Sequence, residues 1–129
     1  MHKPALSSGI VFAALAVILG AFGAHALKQV MEPDQLVTFE TGVRYQFYHS
    51  FALIACGLLY NSFPFKQVKQ ATTCFFLGVI LFSGSLYALT LLKANGEVGL
   101  RGIGILTPIG GVFFILGWIL LFWAVIKKK

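Results

Sequence analysis

Four apolar runs, at 4–27, 45–63, 70–92 and 107–126, constrain this chain more than any other feature. Each is close to the ~20 residues that an α-helix needs to cross the hydrocarbon of a bilayer. No ionised side chain falls in the central part of any run. The breaks between them read "EPDQ", "FPFKQVKQ" and "LKANGEVGLRG". Backbone N–H and C=O groups cannot go unpaired in lipid, so runs of this kind are expected to be helical. Composition agrees: only 11% of residues are charged, where a soluble domain carries about 25%. These observations predict an all-α membrane protein, a compact antiparallel bundle of four transmembrane helices forming one domain over residues 1–129.

Lipid does not drive apolar helices together, so contacts between them fall to small residues and interhelical hydrogen bonds. The first run carries such a stripe, including Gly20 and Gly23; the third has Gly84, and the fourth has Gly110, Gly111 and Gly117. All six are expected packing positions. Thr107 and Pro108 read as the N-cap and first residue of the fourth helix. Cys56 and Cys74 lie inside apolar runs and read as small buried hydrophobes. The basic start and long apolar stretch of "MHKPALSSGIVFAALAVILGAFGAHAL" read as a retained signal anchor.

The net charge of +6 would suggest a nucleic-acid partner in a soluble protein. Its distribution points instead to the lipid bilayer. With four spans, both termini share one side with Lys3, Lys66, Lys69, Lys127, Lys128 and Lys129, and no acid falls there. Basic loops stay on the cytoplasmic side, which predicts cytoplasmic termini.

Against this background "FGAHALKQVMEPDQLVTFETGVRYQFYH", residues 22–49, is a polar island. Leu36, Phe39, Val43 and Phe47 share one helical face, which predicts a short interfacial helix before the second span, with its continuation into that span left open. Glu40 and Arg44 stand at i, i+4, as do Tyr45 and His49, with Gln46 three residues before His49. The topology puts His25, His49, Ser85, Tyr87 and Thr107 in the outer half of the bilayer. Polar side chains within a membrane read as a functional site by default. The expected cluster is therefore His25, Glu40, Arg44, Tyr45, Gln46, His49, Ser85, Tyr87 and Thr107.

Three functions fit such a cluster. It could form an outer vestibule that binds or moves a small ligand, a lipid headgroup or a proton. The protein could instead be a structural or accessory subunit, packing against itself as a homo-oligomer or against a larger membrane complex. Third, His25 and His49 could ligate a metal or haem, although two histidines form a weak metal signal and a hydrogen bond to Tyr87, Ser85 or Glu40 across the bundle is the preferred role for them. No G-x-S-x-G, H-E-x-x-H or C-x-x-C motif occurs. The reading is therefore a protein that is not an enzyme and needs no cofactor.

Four motifs occur in order, one per run: "GAFGAHAL", "FETGVRYQFYH", "LFSGSLYAL" and "TPIGGVFFILGW". With them the whole chain resembles the small bacterial membrane family called domain of unknown function 423, to which the eukaryotic transmembrane protein 256 group is similar. The matching positions include Gly42, Ser83, Pro108 and Trp118, besides the six packing glycines and every residue of the expected cluster except Arg44. The resemblance implies a multi-pass protein of the bacterial inner (plasma) membrane and carries no reaction with it.

Overall fold

The computed structural model describes residues 1–94 and 101–128, and they form an all-helical bundle. Helix α1 runs Lys3–His25, and a short 3-10 turn, Leu27–Gln29, leads to α2 at Pro33–Leu59. Helix α3, Lys66–Gly78, passes through a π turn at Val79–Ser83 into α4, Gly84–Ala94. These three segments make one continuous rod. Helix α5, Arg101–Lys127, returns along it. Part of the connection before α5, including Glu97, lies outside the described residues, as does Lys129.

By length and apolarity three helical stretches can cross a membrane: Lys3–Gln29, Lys66–Lys93 and Gly102–Lys127. Helix α2 has the length, 27 residues, but its first half carries Asp34, Glu40 and Arg44. That half is no separate interfacial helix. Its start is fixed by a capping box, in which Glu32 N–H donates to Gln35 Oε1 at 3.2 Å and the Glu32 side chain accepts from the backbone of Gln35. Such reciprocal capping satisfies two orphan donors at once. From Pro33 onward the helix continues without interruption.

The register of α1 against α2 follows from contacts along their length. His2 N–H donates to Gly57 O at 3.0 Å. At Gly9 an added Cβ would meet Ser50 O at 2.7 Å, and at Gly23 it would come within 3.1 Å of the Phe39 ring. The helices are antiparallel and nearly coextensive, so residues 33–44 lie at bundle depth rather than above it. This corrects the depth of the two histidines. His25 ends α1 beside the start of α2, whereas His49 is level with the first half of α1. They stand about 18 Å apart along the axis at 1.5 Å per residue.

Helix α2 also packs on the α3–α4 rod, and the rod packs on α5. One apolar core joins Phe12, Leu53, Cys56, Val68, Phe75, Phe114 and Leu121; a smaller one joins Ala16, Leu27, Met31, Phe39 and Val43. Outward stand Ile10, Val17, Ile18, Ile115, Ile119 and Phe122, each more than half exposed. So much contiguous apolar surface would drive association in water, whereas lipid solvates it.

Two expectations at α5 change. The helix begins at Arg101, so Thr107 is not an N-cap and Pro108 lies inside the helix. Its ring leaves the carbonyl one turn earlier, that of Gly104, without an α-helical donor. The expected packing glycines also divide. At Gly110 an added Cβ would strike the backbone of Phe82 in the π turn, and at Gly117 it would lie 2.5 Å from the Phe75 ring. Gly23 meets Phe39. Gly20 and Gly111 leave only ordinary contact distances, 3.5 and 3.9 Å, and around Gly84 nothing stands within 4 Å. Gly84 follows the π turn, whose extra residue rotates it off the packed face.

Gly110→Ala should therefore lower stability by about 1–3 kcal/mol, the usual cost of overpacking against atoms that cannot move aside. Gly84→Ala should stay within ~0.5 kcal/mol of the parent. Unfolding midpoints of the two variants in the same detergent check both values.

Candidate functional site

Gln46 occupies the middle of α2 and is buried, with 3% of its surface exposed. Its Nε2 donates to Phe12 O of α1 at 2.7 Å. Its Oε1 accepts the Tyr87 hydroxyl of α4 at 2.6 Å. A carbonyl oxygen has two lone pairs, so Phe12 O can take this donor besides its own helical one. Gly42, one turn earlier on α2, clears the path of the Tyr87 ring: a Cβ there would stand 2.8 Å from it. The ring packs at 5.0 Å on Phe39.

A second set of bonds leaves the third run in two directions. Residues two apart on a helix face nearly opposite sides, about 200° around at 3.6 residues per turn. Ser83 Oγ donates to Gly42 O of α2 at 2.7 Å. Ser85 Oγ donates to Phe82 O at 2.9 Å and, on the side of α5, bonds the Thr107 hydroxyl at 2.5 Å. With the Ser85 proton committed to Phe82, Thr107 is the donor in that pair.

His49 makes a third link. The Trp118 indole N–H of α5 donates to its Nε2 at 3.1 Å. An indole only donates, so Nε2 accepts and the ring proton sits on Nδ1, which lies 2.8 Å from Tyr45 O. This tautomer is neutral. Its ring stacks on Phe114 with centroids 3.5 Å apart and planes within 8°, and Phe75 closes the cage at 5.6 Å.

The expected cluster is thus divided. Gln46 with Tyr87, Ser85 with Thr107, and His49 with Tyr45 O and Trp118 are satisfied inside the bundle. His25, Glu40 and Arg44 are exposed. Tyr45 lends its carbonyl to His49 while its half-exposed ring stacks on Phe82 at 4.8 Å. His25 and His49 cannot share a metal or haem at their separation. Among the described residues no three His, Cys, Asp or Glu side chains gather as a metal site. Cys56 and Cys74 are free thiols.

Sequence reasoning overlooked Ser83 and Trp118 as partners. A signal for Trp118 existed. Tryptophan favours the ends of a span, and one placed nearer the middle of an apolar run needs an acceptor for its N–H. For Ser83 the offset from Ser85 was the available sign.

Long apolar helices, outward hydrocarbon and internally matched polar groups define a multi-pass, all-helical integral membrane protein. The chain belongs to the family described as "Protein of unknown function (DUF423)", whose sequence profile matches residues 19–111. It is 40% identical over 119 residues to the UPF0382 membrane protein SAB0533 of Staphylococcus aureus, covering 92% of each chain. It is 38% identical to the UPF0382 membrane protein YwdK of Bacillus subtilis over 92% of this chain and 93% of that one. To the UPF0382 inner membrane protein YgdD of Escherichia coli it is 35% identical, over 95% of this chain and 86% of that one. No solved structure matches it.

Hydrogen bonds between membrane helices couple by about 0.6 kcal/mol on average and up to ~1.7 kcal/mol. A double-mutant cycle of Gln46→Leu and Tyr87→Phe should fall in that range. A cycle pairing Gln46→Leu with Ser85→Ala should show a coupling near zero, because those side chains share no bond. Unfolding in mixed micelles measures both cycles.

Proposed function

We propose that this protein is a non-catalytic assembly element of the bacterial inner membrane. In this reading α2 is a fourth span, both termini are cytoplasmic, and the outward face of α2 binds a second copy of the chain. The location rests on the name of the Escherichia coli relative. The orientation rests on the lysines at the end where α1 begins and α5 finishes, an end without acids among the described residues.

The outward face of α2 carries the proposal. Val37, Glu40, Arg44, Tyr48 and Phe51 form an exposed stripe along it. Val43, beside Arg44, faces Gly20 of α1 at ordinary contact distance. Arg44 therefore sits about 8 Å below the outer end of α1 at 1.5 Å per residue. Charges at such depth are costly against lipid and persist where they are paired. The outward faces of α1 and α5 in the bilayer are hydrocarbon, so α2 stands apart.

The stripe is complementary to itself. Two copies related by a two-fold axis along the membrane normal would place Arg44 of each near Glu40 of the other. The offset is one turn, about 6 Å along the axis, within reach of an arginine stem. The polar groups of the expected cluster that face inward, Gln46, His49, Ser85, Tyr87 and Thr107, support an assembly role over a vestibule, because each is matched within the bundle.

Val37→Cys, made with Cys56 and Cys74 replaced by alanine, should cross-link into a dimer in native membranes. Glu40→Arg should reduce that cross-link several-fold by setting Arg against Arg, and Glu40→Arg with Arg44→Glu should restore it. Equal cross-linking of all three, or of a cysteine at Ile10 on α1, would overturn the reading.

A further inference from the structure

A cleft of about 300 Å³ opens between the start of α1 and the face of α3, lined by His2, Pro4, Ser8, Thr72, Phe76 and Leu77 among others. We infer that this cleft is a binding site for one anionic phospholipid, with an acyl chain against Phe76 and Leu77 and the phosphate at the basic rim beside Lys3 and Lys69.

The walls select hydrocarbon. Ser8 Oγ donates to Pro4 O at 2.7 Å and Thr72 Oγ1 to Val68 O at 3.0 Å. The neighbouring Thr73 hydroxyl is turned back on Lys69 O at 3.3 Å. These hydroxyls spend their protons on their own helices and present carbon to the cleft. Phe76 and Leu77 are 40% and 37% exposed beside them. Ser8 is about 8 Å into α1 at 1.5 Å per residue, so the cleft extends well below the helix end and suits a chain entering from the membrane.

The rim selects negative charge. Lys3 stands between two lining residues, and Lys69 lies one turn before Thr72 and Thr73. The Lys69 ammonium is 5.2 Å from the centre of the Tyr60 ring, on which the His2 ring also packs at 5.5 Å. Burial and the neighbouring Lys69 charge hold the His2 imidazole below its usual range. Near neutral pH it is therefore an uncharged group, and lysines supply the countercharge. His2 Nδ1 is buried without a hydrogen-bond partner at the edge of this rim. The acids among the described residues, Glu32, Asp34 and Glu40, all lie at the start and in the first half of α2, away from this end. An occupant that is hydrocarbon below and anionic at the rim matches both halves of the site.

Native mass spectrometry of the full chain released from detergent tests this, using phosphatidylglycerol and phosphatidylcholine with identical acyl chains. One phosphatidylglycerol should be retained in preference to phosphatidylcholine. Lys3→Gln with Lys69→Gln should weaken that retention at least about fivefold, the scale of one lost lysine–headgroup attraction. Leu77→Trp, which fills the cleft and leaves every charge in place, should weaken retention of both lipids. Lys127→Gln with Lys128→Gln, at the same end but outside the cleft, should leave it unchanged. Circular dichroism melts confirm that each variant is folded. Equal loss from the two tail lysines would mean diffuse attraction and overturn the site. So would undiminished retention in Leu77→Trp, or displacement of the lipid by inorganic phosphate alone.

Discussion

One carboxamide holds three helices in register. Gln46 gives its N–H to the backbone of α1 and takes the proton of Tyr87 from α4, while standing at the middle of α2. Lipid offers neither group another partner, so sliding α2 along α1 by even one residue would strand both. The apolar contacts around it are tolerant by comparison, because hydrocarbon packs on hydrocarbon in many ways. Gly42 and Gly9 matter through the same register: each is small where the partner side chain or backbone must pass. Close approach and hydrogen bonding specify the same alignment, and agreement between such levels is what selects one packing over its neighbours.

Three long apolar helical stretches and the family were legible because both rest on long patterns. An apolar run of twenty residues survives an error of several residues at either end. Depth was not legible. Reading the second run as starting at Tyr45, after the last charge, placed residues 33–44 at the interface rather than alongside α1, where Phe39 and Val43 face Gly23 and Gly20. The chain instead extends one helix through Glu40 and Arg44, since an outward charge does not break helical hydrogen bonding. That displacement alone put His49 beside His25. The start of α5 was misread for a similar reason: Thr107 and Pro108 are a good helix start locally, but the helix was already under way from Arg101.

Polar residues were legible as a group and illegible as pairs. Ser83 and Ser85 look equivalent in "LFSGSLYAL", yet one belongs to α2 and the other to α5. His49 carried the strongest chemical signal in the sequence. In the bundle it is a neutral acceptor that spends its lone pair on an indole. A ligating histidine and a clasping histidine differ only in what faces them, and periodicity within one helix holds no information about that.

The π turn at Val79–Ser83 fixes how this protein can change in length. It holds one residue more than an α-helix would over the same stretch. Removing that residue would leave a plain α-helix over the same stretch, with Ser85, Tyr87 and Thr90 still facing their present neighbours. Losing or gaining a residue elsewhere in the rod would turn everything beyond it by about 100°. The rod is thus keyed like a shaft with two cams: the inner cam sets α5 through Phe75 and Gly117, and the outer sets α2 and α5 through Ser83 and Ser85. Substitutions can wear either cam by degrees, whereas any other insertion or deletion between them throws the whole mechanism out of phase.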